Sequence, residues 1–174
     1  MKYKEIYEEY ECLLLKKNDC AKMIFSLKDG YISTKTISGR KYSYLQKKVD
    51  NKVNSEYIKA EILPQVKAEL KKRGEIEQEL GLIDERLNKL EAAAKILDNS
   101  LYHKLIILRR CSLMDSMPLE TRKRALEFGN AMTALEGIPA SDETEKNLSL
   151  WAAGQYSFKD AYLQTLEKYN LIEV

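Results

Sequence analysis

Apolar side chains recur at helical spacing in two stretches of the chain. In roughly residues 2–28 they form one stripe, which Lys17 interrupts and Asp29-Gly30 ends with turn chemistry. A second helix is expected from about 61 or 64 to 97, and from Ile76 onward its apolar spacing alternates between four and three residues, a strict heptad flanked by Glu, Lys and Arg. The first stripe contains Ile6, Tyr10, Leu13, Cys20, Ile24 and Leu27, and the heptad contains Ile76, Leu80, Ile83, Leu87, Leu90, Ala94 and Leu97.

Between these stretches the chain is rich in β-branched and aromatic residues, which favour strands. Ser38-Gly39 and Asp50-Asn51 supply two turns, so we expect a three-stranded antiparallel β-meander. The expected strands are about 31–37, 41–49 and 53–58. A meander placed between two long helices lets them pack as an antiparallel coiled coil with the sheet at the tip. Homodimerisation through the 76–97 seam is the competing interpretation.

Helical signals continue to the end of the chain. After a break at 98–100, a helix is expected through His103 to Arg110, and Met117-Pro118 marks a boundary. Three helices should follow, so the predicted fold is mainly α, with a first domain at 1–117 and a three-helix module at 118–174. The expected markers of these helices are Glu136, Gly137 and Pro139 at the end of the first, Ser141, Trp151 and Gly154 in the second, and Ser157, Asp160 and Tyr169 in the third.

Composition narrows the class of protein. The chain is 44% hydrophobic and 32% charged, as in globular proteins, and no apolar run approaches the roughly 18 residues that span a bilayer. The first residues alternate basic and acidic side chains and lack the apolar stretch of a signal peptide, so we expect none. Cys12, Cys20 and Cys111 lack metal-binding spacing and are interpreted as reduced thiols. We therefore expect a cytoplasmic protein without membrane contact.

The sequence also lacks the residue patterns of common catalytic sites. His103 is the one histidine, and the seven glycines form no phosphate-binding loop. No metalloprotease, hydrolase or calcium-loop motif occurs either. We expect a protein that is not an enzyme and holds no cofactor or metal.

The run RALEFGNAMTALEG at 124–137 resembles the inhibitory helix of the small antitoxins that silence Fic toxins, the VbhA-like antitoxin family. In that family a Leu-Glu-Gly ends the first helix, a second helix ends at a glycine some seventeen residues on, and a capped third helix follows. Leu135-Glu136-Gly137, Gly154 and Ser157 fall in those places. The resemblance covers the last 50 to 57 residues.

The resemblance implies a function for Glu136. Fic enzymes carry out AMPylation, the transfer of AMP from ATP to a hydroxyl, and one of their arginines holds the γ-phosphate. A glutamate on the antitoxin helix occupies that arginine, so the resemblance assigns this role to Glu136 and the helix end to Gly137. The family usually has Ser or Thr four residues before the glutamate, whereas this chain has Met132, with Thr133 about 100° further around the helix. An ordinary C-terminal helix residue is the alternative interpretation of Glu136.

The meander resembles a small domain of bacterial and phage-related proteins that leads into a coiled coil. Its glycines, its Lys-Thr-Ile and its Arg-Lys-Tyr follow that pattern between Gly30 and Gln46. Residues 30–60 carry seven basic and two acidic side chains, whereas 118–174 carry six basic and nine acidic ones. Two interpretations stay open, a nucleic-acid-binding sheet and a basic solvated sheet that caps the coiled coil. The candidate binding residues are Lys35, Arg40, Lys41, Tyr42, Tyr44, Lys47 and Lys48.

Two function classes follow from these patterns. The leading hypothesis is an antitoxin-like inhibitor of a Fic-type AMP-transferase, with Glu136, Gly137, Leu135 and Met132 as the partner-facing residues. The rival is a nucleic-acid-binding adaptor or phage-type regulator that uses the meander. A third hypothesis is an inhibitor of another bacterial defence or phage protein.

Overall fold

The chain is mainly helical, with one small sheet between its first two helices, as the periodicity predicts. The computed structural model describes residues 3–137 and 140–168. The elements are α1 (Lys4–Ser26), β1 (Tyr31–Ile37), β2 (Arg40–Val49), β3 (Lys52–Ile58), α2 (Leu63–Leu97), α3 (Asn99–Ser116), α4 (Leu119–Leu135), α5 (Asp142–Ala152) and α6 (Phe158–Lys168). The predicted fold class is confirmed.

The elements group into two compact units. One is Lys16–Asn88, and the other contains the described residues of Met1–Leu15 and Lys89–Val174. Both α1 and α2 contribute to each unit. A division into separately folding domains at residues 117 and 118 stays a prediction.

The sheet of the first unit has the strand order β1-β2-β3, with antiparallel pairing throughout. Ile37 pairs with Arg40, and Val49 pairs with Lys52, so each turn has two residues. All four turn residues have positive φ, from 48° at Asp50 to 78° at Gly39. This is the conformation of type I′ turns, whose twist matches that of the flanking strands.

One end of the sheet packs on the start of α2. Leu45 and Ile58 are buried there with Val66, and the partly buried side chains around them are Ile32, Leu63 and Leu70. Gly30, which precedes β1, has φ of 124°. A Cβ atom at Gly30 would clash with the main-chain carbonyl of Gln46 on β2, so only glycine fits at this position.

Polar contacts fix the antiparallel direction of α1 and α2 in the same unit. Lys17 Nζ lies 2.5 Å from Asp84 Oδ1, and Lys16 Nζ lies 2.6 Å from Glu79 Oε1. Further along α1, Arg73 Nη1 donates to the carbonyl of Ile24 at 3.3 Å. Residue numbers rise along α1 as they fall along α2, so the predicted antiparallel coiled coil is confirmed.

The heptad seam of α2 is buried along most of its length. Ile76, Ile83, Leu87, Leu90 and Ala94 are all at most 6% exposed. Leu97 was predicted to continue the seam, and this is wrong, because α2 ends there and the side chain is 50% exposed. A second copy would have to displace what covers the seam in the single chain, so homodimerisation through it stays a prediction.

In the second unit, a shared carboxylate joins three helices. Glu91 Oε1 of α2 accepts from Tyr10 Oη of α1 at 2.5 Å and from Arg109 Nη1 of α3 at 2.7 Å. Burial raises the pKa of Tyr10, and the hydrogen bond to Glu91 acts in the same direction, so the phenol stays a donor. Asp98 caps α3 by accepting from the main-chain N–H groups of Ser100 and Leu101, which confirms the predicted break before this helix.

The last two helices begin where the capping residues predict. Ser141 Oγ accepts from the N–H of Thr144 at the start of α5, and Ser157 Oγ accepts from the N–H of Asp160 at the start of α6. Pro139, which is expected to follow α4, and Tyr169, which is expected within the last helix, lie outside the described residues. In the described part of the chain no helix is long and apolar enough to cross a membrane.

We expect Leu87→Ala to lower the free energy of unfolding by about 2–5 kcal/mol, because it opens a cavity at a fully buried seam position. Leu82→Ala on the same helix is the matched control, since Leu82 is 68% exposed and its loss should change stability by no more than about 0.5 kcal/mol. Urea unfolding of both variants followed by circular dichroism measures the difference. Equal effects would contradict the assignment of the seam.

Candidate functional site

Arg122 fixes the position of α4 within its unit. Its guanidinium donates to three main-chain carbonyls, those of Met117 at 3.0 Å, Trp151 at 3.3 Å and Asp115. The same group lies 5.7 Å from the centre of the Trp151 ring. Because the rigid fork of arginine can reach several acceptors at once, one side chain joins the start of α4 to α3 and α5.

Trp151 and Asp115 complete this anchor. Trp151 is 2% exposed, and its ring meets Phe158 of α6 edge-on at a centroid distance of 5.1 Å. Asp115 Oδ1 accepts from the N–H of Phe158 at 2.8 Å, so α3 caps the start of α6. These contacts hold α4, α5 and α6 as one arrangement, with the far end of α4 left at the surface.

Glu136 lies at that far end of α4. It is the C-cap residue, with φ of −79° and ψ of −6°, and it is exposed. Gly137 follows with φ of 71°, the left-handed conformation with which helices commonly end. The predicted end of the first module helix is thus at the expected residues, and it presents the carboxylate to solvent.

An apolar stripe runs along α4 toward Glu136. It consists of Phe128, Met132 and Leu135, which are spaced by four and three residues and are 69%, 41% and 83% exposed. Thr133 does not join this stripe, because its hydroxyl donates to the carbonyl of Asn130 at 3.1 Å within the helix. We call Phe128, Met132 and Leu135 the α4 stripe. Sequence reasoning identified Met132 and Leu135 but missed Phe128, although its helical spacing gave the signal.

In the other unit, the seven predicted nucleic-acid-binding residues divide between the two faces of the sheet. Successive side chains of a strand point to opposite faces, and Leu45 marks the face that packs on α2. Lys41 and Lys47 share that face with Leu45, so the strand register separates them from the other five candidates. The opposite face, which we call the open face, carries Lys35, Arg40, Tyr42, Tyr44 and Lys48.

Lys47 has a structural partner on its own face. Its Nζ lies 2.5 Å from Asp29 Oδ2, and Arg73 Nε of α2 lies 3.6 Å from Asp29 Oδ1. The hydrogen bond from Lys47 lowers the pKa of the Asp29 carboxyl, outweighing partial desolvation, and Arg73 adds to the effect. The pair is therefore fully formed at neutral pH and weakens only when acid protonates Asp29 below its usual range.

The open face gathers tyrosine rings around the centre of the sheet. Tyr57 of β3 lies between two rings of β2, with centroid distances of 6.1 Å to Tyr42 and 5.8 Å to Tyr44. Lys35 Nζ lies 5.1 Å from the centre of the Tyr44 ring. Sequence reasoning missed Tyr57 and Tyr31 as members of this site, and only the strand register could have assigned them to it.

The remaining reactive side chains form no third site in the part of the chain that is described. No group of three or more His, Cys, Asp or Glu side chains in the described ranges could hold a metal ion. His103 is exposed and lies beside the ring of Tyr102. Cys20 and Cys111 are buried thiols, and burial raises the pKa of Cys111 to about 11.

Comparison with known proteins bears on the first part of the chain. A protein-family model described as a domain of unknown function (DUF6788) matches residues 4–68, which contain α1, the sheet and the start of α2. Neither the curated proteins nor the solved structures contain a significant match. The open face of the sheet lies within the matched segment, and α4, α5 and α6 lie beyond it.

We expect Arg122→Ala to lower the free energy of unfolding by about 2–3 kcal/mol, because three carbonyls lose a charged donor. The matched control is Lys123→Ala, which removes the exposed neighbouring cation and should change stability by no more than about 0.5 kcal/mol. Trp151, the one tryptophan of the chain, reports the change by its fluorescence during urea unfolding. If both variants unfold at the same urea concentration, Arg122 is not the anchor.

Proposed function

We propose that this chain is a non-enzymatic, antitoxin-like inhibitor of a Fic-type AMP-transferase. In this proposal α4 docks on the enzyme and Glu136 occupies the arginine that would otherwise bind the γ-phosphate of ATP. The proposal requires a cytoplasmic location, because the enzyme uses ATP. It rests on the resemblance of residues 124–137 to the inhibitory helix of that antitoxin family and on the geometry of α4.

The observation that carries the proposal is the exposed carboxylate of Glu136 beside the α4 stripe. Amphipathic helices that insert into a partner's groove use apolar anchors at spacings of three, four and seven residues. Phe128, Met132 and Leu135 have this spacing and are solvent-exposed. A helix docked through the stripe would bring Glu136, one turn beyond Met132, to the rim of the groove.

The position of Glu136 favours a cationic partner. The carbonyl end of a helix carries partial negative charge, and a carboxylate there is disfavoured by roughly 0.3–1 kcal/mol at an exposed site. The last turn of α4 contains no basic side chain that would compensate. A guanidinium from another protein would relieve this repulsion and could form a bidentate, charge-assisted pair with Glu136.

Such a pair would block AMP transfer without any chemistry by this chain. The transfer needs the α-phosphate aligned with the attacking hydroxyl, and the arginine supplies this alignment by holding the γ-phosphate. With the arginine bound to Glu136, ATP binds misaligned or not at all. Loss of alignment removes much of the catalytic advantage of an active site.

Within the proposal, Met132 makes the docking of α4 on the enzyme differ from that of the antitoxin family. The antitoxin family has a hydroxyl at the equivalent position, which hydrogen-bonds on the same face of the helix. Here the thioether extends the α4 stripe, so attachment would rely on packing in an apolar groove, where methionine adapts well to irregular shapes. The matching Fic pocket should therefore be apolar at this point.

We expect Glu136→Gln to weaken inhibition of AMP transfer by about 10- to 150-fold, because a neutral amide loses the charge-assisted pair. The matched control is Glu127→Gln on the same helix. Glu127 is exposed and lies nine residues earlier, half a turn around the helix axis. The assay adds each purified variant to a Fic enzyme encoded beside this chain in its source genome and measures AMP transfer from labelled ATP.

A second variant separates docking from inhibition. Leu135→Asp places a charge in the α4 stripe and should abolish binding to the enzyme, whereas Glu136→Gln should still bind through the stripe, with affinity weakened by the same roughly 10- to 150-fold. Binding is measured by calorimetry with the same proteins. Equal inhibition by wild type and Glu136→Gln would reject the role of Glu136, and binding of the wild type without inhibition would reject the inhibitory function. Absence of binding would favour a different bacterial or phage protein as the target.

A further inference from the structure

The open face of the sheet combines aromatic rings with positive charge and excludes negative charge. In the described strands, its side chains include four tyrosines and three cations but no carboxylate. Two of these rings, Tyr31 and Tyr57, are 55% and 51% exposed. On the opposite face, by contrast, Glu56 lies on β3, and Lys47 is paired with Asp29. The charge is therefore sorted by face, and one face offers only cations.

We propose that the open face binds single-stranded nucleic acid, with bases stacked on the tyrosine rings and phosphates held by Lys35, Arg40 and Lys48. The proposal does not depend on the inhibition of a Fic enzyme, because the sheet and α4 lie in different units. Charge complementarity favours a polyanion, and exposed rings favour one with accessible flat bases.

The spacing of the cations fits an extended strand. Arg40 and Lys48 lie at the two ends of β2 on the same face, eight residues apart, which corresponds to about 27 Å along the strand. The three tyrosines Tyr42, Tyr44 and Tyr57 lie between these ends. A backbone that followed β2 could meet a cation at each end and place several bases over the rings.

The rings argue for unpaired bases. Stacking on a side chain requires the face of a base, and in a duplex those faces are covered by neighbouring pairs. A duplex could use only the three cations and would gain nothing from Tyr42, Tyr44 and Tyr57. The open face should therefore prefer a single strand to a duplex of the same sequence.

The first test measures fluorescence polarisation of a labelled 20-nucleotide DNA strand of mixed sequence with the full chain. The same sequence as RNA and as duplex DNA provides the comparison. We expect both single strands to bind more tightly than the duplex, since stacking tolerates either sugar. With three phosphate contacts, single-strand affinity should fall roughly 20-fold between 50 and 200 mM salt. Binding of the duplex as tight as that of the single strands would overturn the proposal.

Neighbouring residues on opposite faces give a matched pair of variants. Arg40→Glu reverses a charge on the open face, and Lys41→Glu makes the same change on the face that packs on α2. Both side chains are exposed, so neither variant should unfold the sheet. We expect Arg40→Glu to weaken single-strand binding by about tenfold and Lys41→Glu to have a much smaller effect. Equal losses would assign the binding to net charge and overturn the site.

A second pair tests stacking. Tyr44→Ala should weaken binding by about 5- to 150-fold, the range found when one stacked base loses its aromatic partner, whereas Tyr44→Phe keeps the ring and should bind almost as wild type. Circular dichroism confirms that each variant is folded, and the Arg40 and Lys41 pair decides the matter if Tyr44→Ala is not. Undiminished binding by a folded Tyr44→Ala would overturn the proposal.

Discussion

Burial of the α2 seam is the interaction on which the other elements depend. A 35-residue helix that contains two glycines and many charged residues is not held together by propensity alone, because most helical stability in proteins comes from packing of an apolar face. Ile83 and Leu87 are almost completely removed from solvent. The same helix provides Val66 to the sheet and Glu91 to the network of Tyr10 and Arg109.

Polar groups beside the apolar contacts decide which arrangement forms. Lys17 with Asp84, and Tyr10 with Glu91, pair successive points of α1 with points of α2 in descending order. The Lys17–Asp84 ion pair is partly exposed, and such pairs contribute only about 0.2–1 kcal/mol, so its effect is to specify the antiparallel register more than to stabilise it. Arg122 has the corresponding effect in the three-helix module, because its donors fit carbonyls from two other segments.

Much of this fold could be predicted, because its signals are local. Alternating four and three spacing defines α2, two-residue turns define the meander, and Ser141 and Ser157 mark helix starts. The division of Lys41 from Arg40 depends on which face of the sheet packs on α2, and this contact is long-range in sequence. The role of Arg122 could not be predicted for a related reason. Its acceptors are main-chain carbonyls, which every residue has, so the sequence does not identify them.

Both candidate surfaces carry charged side chains that contribute little to the stability of the fold. Glu136 stands at the negative end of α4, and Arg40 and Lys48 lie on a face without a carboxylate in the described strands. Lys47 and Glu91 differ, because each has an opposite charge within the fold. Charges that are paired internally contribute to the fold, whereas solvent-facing charges beside exposed apolar or aromatic groups are free to pair with a partner of the opposite sign. The partners that we propose are a guanidinium for Glu136 and a phosphate backbone for the open face. Because the two surfaces are separate, a mutation that removes one proposed activity should leave the other.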